Sequence, residues 1–122
     1  MKKKVLVVDD SQLTRNFHAY IVQEAGFECS TAIDGNDGLE KAMREQFDII
    51  LTDINMQGMD GYEFIRRIRE TAEYDTTPII IVSTEGQDRD KQKGFSAGAN
   101  LYVMKPTDAN RIVASMNLLM GV

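Results

Sequence analysis

The chain has 122 residues, of which 43% are hydrophobic and 27% charged, and its formal net charge is −5. One compact domain fits that length, with enough core to fold without staples, and the composition excludes a disordered or low-complexity chain. The acidic balance argues against a nucleic-acid-binding surface. The single Cys29 cannot form an internal disulfide, which suits a reducing compartment, and no apolar run reaches the length of a secretory core or a membrane span. A soluble, cytoplasmic domain with no nucleic-acid or membrane partner is expected.

Val5-Leu6-Val7-Val8 is a continuous apolar run, the pattern of a strand buried on both faces of a parallel sheet. After Asp9 and Asp10, the residues Leu13, Phe17, Tyr20 and Ile21 recur at i, i+4, i+7 and i+8, which predicts a helix closed by Gly26. Glu28 to Ala32 reads as a weaker strand. The Asp34-Gly35 turn leads to a second helix marked by Leu39, Ala42 and Met43, with Asn36 as its cap. Ile49-Ile50-Leu51 is another strand run, ending toward Asp53. A third helix carries Phe64, Ile65 and Ile68, and Asp60 and Glu63 have capping-box spacing. Ile79 to Val82 is the next strand, followed by Ser83 and Thr84. The helix expected over Asp88 to Ala97 is poor: it contains Gly94, and its apolar content is little more than Phe95 and Ala97, so its local stability should be low. Leu101 to Met104 reads as a weak strand before Lys105. Ile112, Val113, Met116, Leu119 and Met120 mark the last helix, capped near Thr107 or Asp108.

Five successive βα units predict one α/β domain over residues 1–122, an open five-stranded parallel sheet with right-handed crossovers and helices on both faces. In such a sheet ligands bind outside the carboxyl ends of the strands. Asp9, Asp10, Asp53, Ser83, Thr84 and Lys105 all follow apolar runs directly and belong at that end. Each alone reads as an ordinary cap or strand end. Together, three crowded carboxylates repel one another unless a cation joins them, and an oxygen-rich site with room for waters suits Mg²⁺. A divalent ion with Lys105 nearby would neutralise the oxygens of a transferring phosphoryl group, Ser83 would donate to one of them, and a carboxylate would be the nucleophile. Asp53 is the better candidate, because the end of a central strand puts it between the acidic pair and Ser83 with Lys105.

Asp53 to Gly58 mimics the opening of a calcium-binding EF-hand loop, but Phe64 stands where its bidentate Glu is required, and a strand precedes it. A flavodoxin-like cofactor binder would need a phosphate-cradling loop after the first strand, where Asp9 and Asp10 would repel phosphate. A small metal-dependent phosphatase with an Asp nucleophile is the enzymatic alternative, although such enzymes need a cap or pocket that this length leaves little room for.

Asp9-Asp10, Asp53-Ile-Asn55-Met56, Ser83-Thr84-Glu85, Ala97-Gly98-Ala99 and Tyr102-Val-Met-Lys105-Pro106 together resemble the receiver domain of two-component response regulators, over residues 3–120. The resemblance implies strand order 2-1-3-4-5, as in the family's chemotaxis member, and a phosphorylation-activated switch rather than an enzyme, one that catalyses only its own phosphorylation and dephosphorylation. It implies that Asp53 accepts a phosphoryl group from a sensor histidine kinase. Mg²⁺ would bind Asp10, Asp53 and the Asn55 carbonyl, with Asp9 acting through water. Ser83 and Lys105 would contact the phosphoryl group, and Lys105-Pro106 would be cis. Movement of Ser83 would draw Tyr102 inward and alter the face of the fourth helix, fifth strand and fifth helix, changing binding to a downstream target such as a flagellar switch or other effector. A phosphatase is a further partner.

The segment Ser83 to Asp88, and a chain ending at Gly121-Val122 after the last helix, are most similar to a stand-alone chemotaxis-type regulator. Gln57 stands where a proline is common and Thr107 where an aromatic is common. His18 is expected at the surface or partly packed, Cys29 as a small packing residue, and Met56 and Met59 as packing for the loop. Tyr20 and Tyr62 have no assigned role.

Overall fold

Over residues 2–121, a computed structural model alternates β1 (Lys4–Val8), α1 (Gln12–Glu24), β2 (Glu28–Ala32), α2 (Gly35–Arg44), β3 (Ile49–Thr52), α3 (Gly61–Arg69), β4 (Ile79–Ser83), α4 (Asp88–Ala97), β5 (Leu101–Met104) and α5 (Ala109–Met120). All strand pairs are parallel and the order is β2-β1-β3-β4-β5. The continuous apolar runs are covered on both faces, as their composition requires. Val5, Val7, Ile49, Leu51, Ile80 and Val82 meet Ile21 and Val22 of α1 and Ile112 and Met116 of α5. Leu6, Val8, Ile50, Ile79 and Ile81 face the opposite way, onto Ala42, Phe64, Ile65, Ile68 and Ala97 of α2, α3 and α4.

Local chemistry sets where the helices start. Asp60 caps α3 by accepting the Glu63 N–H at 2.9 Å, and Asp108 caps α5 by accepting the Arg111 N–H at 2.8 Å. At α2 the expected cap, Asn36, lies inside the helix. Asp34 does the capping, because its extended backbone lets the carboxylate accept the Asp37 N–H at 2.8 Å.

The face of α1 also differs from the periodicity. Leu13, Phe17 and Tyr20 are 83%, 47% and 62% exposed, whereas His18, Ile21 and Val22 are buried. The helix is rotated by roughly a quarter-turn from the predicted stripe. His18, expected at the surface or partly packed, is only 3% exposed and occupies the core-facing line beside Ile21 and Val22.

At the far end of the sheet from the acids, Arg69 ties α3 to two loops. Its guanidinium donates to the carbonyls of Tyr74 and Thr77 at 2.6 Å and of Gly98 at 2.8 Å, and to Asn100 Oδ1 at 2.9 Å. Charge-assisted bonds to several carbonyls fix the start of β4 and the α4–β5 connection together.

Candidate functional site

The parallel ladders run on past the strand ends and bring the polar residues into one row. The Asp9 N–H donates to the Ala32 carbonyl at 3.1 Å, the Asp53 N–H to the Val8 carbonyl at 3.0 Å, and the Lys105 N–H to the Ser83 carbonyl at 2.8 Å. The Lys105-Pro106 peptide is cis. Gly61 lets the start of α3 close on this row: a Cβ there would sit 2.1 Å from the Asp53 carbonyl oxygen, closer than any side chain tolerates.

Lys105 Nζ donates to Asp9 Oδ2 at 2.9 Å and to Asp53 Oδ2 at 3.2 Å, and all three groups are largely buried. Asp53 Oδ1 accepts the Ile54 N–H at 2.7 Å, and Asp9 Oδ1 accepts the Ser11 N–H at 2.9 Å. Asp9, Asp10 and Asp53 each offer a carboxylate oxygen within 4.8 Å of the others, and this is the only such acidic group among the described residues. Burial pushes the Asp53 carboxyl above the ordinary carboxylate range; Lys105 and the Ile54 N–H pull it down, and Asp9 adds to the rise. One ammonium against three carboxylates leaves this cluster short of positive charge. Its all-oxygen donor set, with Asp10 exposed to solvent, fits a hard divalent cation that keeps part of its water shell.

Ser83 is fully buried, and its Oγ accepts the Glu85 N–H at 3.1 Å. Glu85, named in the sequence only as part of the Ser83-Thr84-Glu85 segment and given no role there, ties the site together. Its carboxylate accepts Asn55 Nδ2–H at 2.8 Å, joining the loops that follow β3 and β4, and its carbonyl accepts the Tyr102 hydroxyl at 2.5 Å. Burial raises the Tyr102 phenol, and the Ser83 hydroxyl beside it opposes that rise. Ser83, Glu85 and Tyr102 are therefore one connected group, with Asn55 reaching it from the other side.

Next to Lys105, a cleft of about 270 Å³ is lined by Thr14, Phe17, His18, Thr84, Pro106 and Thr107. Burial lowers the His18 imidazole; the Lys105 ammonium adds to the drop and Asp9 opposes it. Thr107 Oγ1 is buried without a hydrogen-bond partner among the described residues. Cys29 is half-buried, and burial pushes its thiol up to about 11, which disfavours the reactive thiolate. Met56 and Met59, in the loop between β3 and α3, are buried against the core. Tyr62, given no role from sequence, is buried and bonds to the backbone of α4.

A five-stranded parallel sheet with an acid cluster and a lysine at its carboxyl end defines a phosphoryl-accepting signalling domain. Residues 5–117 match the response regulator receiver domain family, and the chain belongs to it. Receiver domains are the phosphorylation-activated switches of two-component systems. The chain is 32% identical over 118 residues to Protein PilH of Pseudomonas aeruginosa, covering 97% of this chain and 98% of that protein. It is 32% identical over 117 residues to response regulator ArlR of Staphylococcus saprophyticus, covering 96% of this chain but 52% of that one; it thus spans about half the length of that relative. Its fold superposes on the chemotaxis protein CheY4 of Vibrio cholerae with a TM-score of 0.95 and 36% identity, covering 98% of this chain and 99% of that chain. The metal-dependent phosphatase alternative finds no support in these relatives. No helix among the described residues is long and apolar enough to cross a membrane.

Proposed function

We propose that Asp53 accepts the phosphoryl group from a phosphohistidine of a sensor histidine kinase in the cytoplasm, and that the chain then signals by changed binding to a target protein. The observation that carries this reading is Lys105 bridging Asp9 and Asp53 within a three-carboxylate cluster at the strand ends. A lone pair on Asp53 Oδ attacks phosphorus, the P–N bond breaks with its electron pair going to the imidazole, and that nitrogen is protonated from solvent. Asp10 and Asp53, with the Asn55 carbonyl and with Asp9 through water, would hold Mg²⁺. When bound, that ion supplies positive charge beside the phosphoryl oxygens.

Lys105 leaves its shared position between two carboxylates to hold a phosphoryl oxygen. The new group brings about −1.5 to −2 charges, and the Ser83 hydroxyl, at the end of the neighbouring strand, turns to donate to it. That motion releases the Glu85 N–H and frees Tyr102 from the Glu85 carbonyl, which carries the change to α4, β5 and α5. The domain acts as a signalling protein that catalyses only its own phosphorylation and dephosphorylation, and the likeness to CheY4 supports a chemotaxis-type role.

The test is intact-mass spectrometry after incubation with acetyl phosphate. One phosphoryl mass, labile to hydroxylamine and lost with a chelator present, is expected. Equal labelling of Asp53→Asn, or labelling indifferent to chelator, would overturn the assignment.

A further inference from the structure

Helix α4 is weakly seated. Only Gly94 and Ala97 of its residues are buried. Gly94 lies directly over Ile81 and the Tyr102 ring, where a Cβ would come within 2.6 Å of Ile81 Cδ1. So small a buried face contributes little to hold a helix against a sheet.

Tyr62, the second residue of α3, is 5% exposed and reaches across to this helix. Its hydroxyl donates to the Asp90 carbonyl at 3.1 Å, and Lys93 Nζ stands 4.7 Å from the centre of its ring. Asp90 also closes the first turn of α4, its carboxylate accepting the Gln87 N–H at 3.1 Å. One phenol thus grips the helix at its capped turn and again at Lys93, through a hydrogen bond and a cation–π contact. Burial, then the nearby Tyr102, Asp90, Asp60 and Glu85, push the Tyr62 phenol up to about 12, so it is a donor at any ordinary pH. Tyr102 holds the other side through the Glu85 carbonyl, in the loop that leads into α4. The helix hangs between two tyrosines, and only Tyr102 is connected to Ser83.

We propose that Tyr62 is an autoinhibitory strap, which holds α4 in its resting position against α3 and sets how far phosphorylation must work to displace it. This rests on the reading above, that α4 moves when Asp53 is phosphorylated. A contact present in the resting state and broken in the active one biases the equilibrium by its own worth. Removing it leaves the phosphoacceptor untouched and makes the active position easier to reach.

The experiment compares the parent with Tyr62→Phe, which keeps the ring volume, and with Lys93→Gln. Two quantities are read: hydrogen exchange of the α4 amides in the free protein, and the apparent affinity for beryllofluoride in Mg²⁺. Tyr62→Phe should speed exchange across α4 about fivefold and tighten beryllofluoride binding about fivefold, the shift that one net hydrogen bond carries; exchange in β1 and β3 should not change. Lys93→Gln should act in the same direction by less. Faster α4 exchange with unchanged beryllofluoride affinity would make Tyr62 merely structural and overturn the strap, as would weaker binding. A parent that takes up no beryllofluoride at all would instead overturn the switch reading on which the strap depends.

Discussion

Asp10→Asn should make the metal-free protein more stable and the Mg²⁺-loaded protein less stable, relative to the parent. Asp10 is the exposed member of the three acids, and its carboxylate has no ion-pair partner among the described residues. Two like charges at the 4.8 Å limit of this cluster repel by about 1 kcal/mol in water and about 3.5 kcal/mol at an effective dielectric of ~20. Solvent exposure puts Asp10 near the lower figure for each neighbour, and Lys105 offsets part of it. A net relief of about 1 kcal/mol would raise the melting temperature by roughly 3–6 °C for a chain of this size. If the cluster holds Mg²⁺ as proposed, saturating Mg²⁺ should stabilise the parent through linkage, by about 2.7 kcal/mol at a hundredfold excess over the dissociation constant. The variant, without the proposed Asp10 ligand, should gain much less. Thermal melts of both proteins, in chelator and in excess Mg²⁺, should therefore cross in order. A lower melting temperature for Asp10→Asn in chelator, or a full Mg²⁺ response in the variant, would refute the charge-cluster argument.

Because burial raises the Asp53 carboxyl in the folded state above its ordinary 3.8, ionising it costs stability as pH rises from that value. Asp53→Asn should then be the more stable protein at neutral pH without metal, and urea midpoints should show the advantage vanishing below about pH 3.8. His18 has the opposite pH dependence: its folded value lies below 6.5, so the parent keeps its full stability above pH 6.5 and loses it as pH falls through and below that point. His18→Leu should flatten this part of the urea-midpoint curve, and an unchanged slope would show that the imidazole does not stay neutral when folded. Ser83→Ala should still gain phosphoryl mass from acetyl phosphate, but the exchange change in α4 and β5 on adding beryllofluoride should shrink severalfold; an undiminished change would remove Ser83 from the link to Tyr102.

The sheet was legible because its central strands are apolar on both faces, a pattern that parallel pairing demands and solvated strands do not show. The acids and Lys105 were legible for a related reason: in a parallel sheet, whatever follows each strand must meet at one end. What stayed hidden depends on how loops approach one another. Asn55 and Glu85 are 30 residues apart, and Tyr62 and Asp90 are 28 apart; no local period announces either pair. The α1 face is not legible from its apolar residues because a histidine, His18, lies on the buried line. The α2 cap lies two residues before Asn36: Asp34 and Asn36 are both good caps, and only the extended backbone at Asp34 decides between them.

The phosphoryl acceptor can be identified chemically. After labelling with acetyl phosphate and Mg²⁺, borohydride reduction converts an aspartyl phosphate to homoserine, and peptide sequencing by mass spectrometry then locates it. Homoserine is expected at position 53 alone. Homoserine at position 9 or 10, or a phosphoryl mass that borohydride leaves intact, would contradict it.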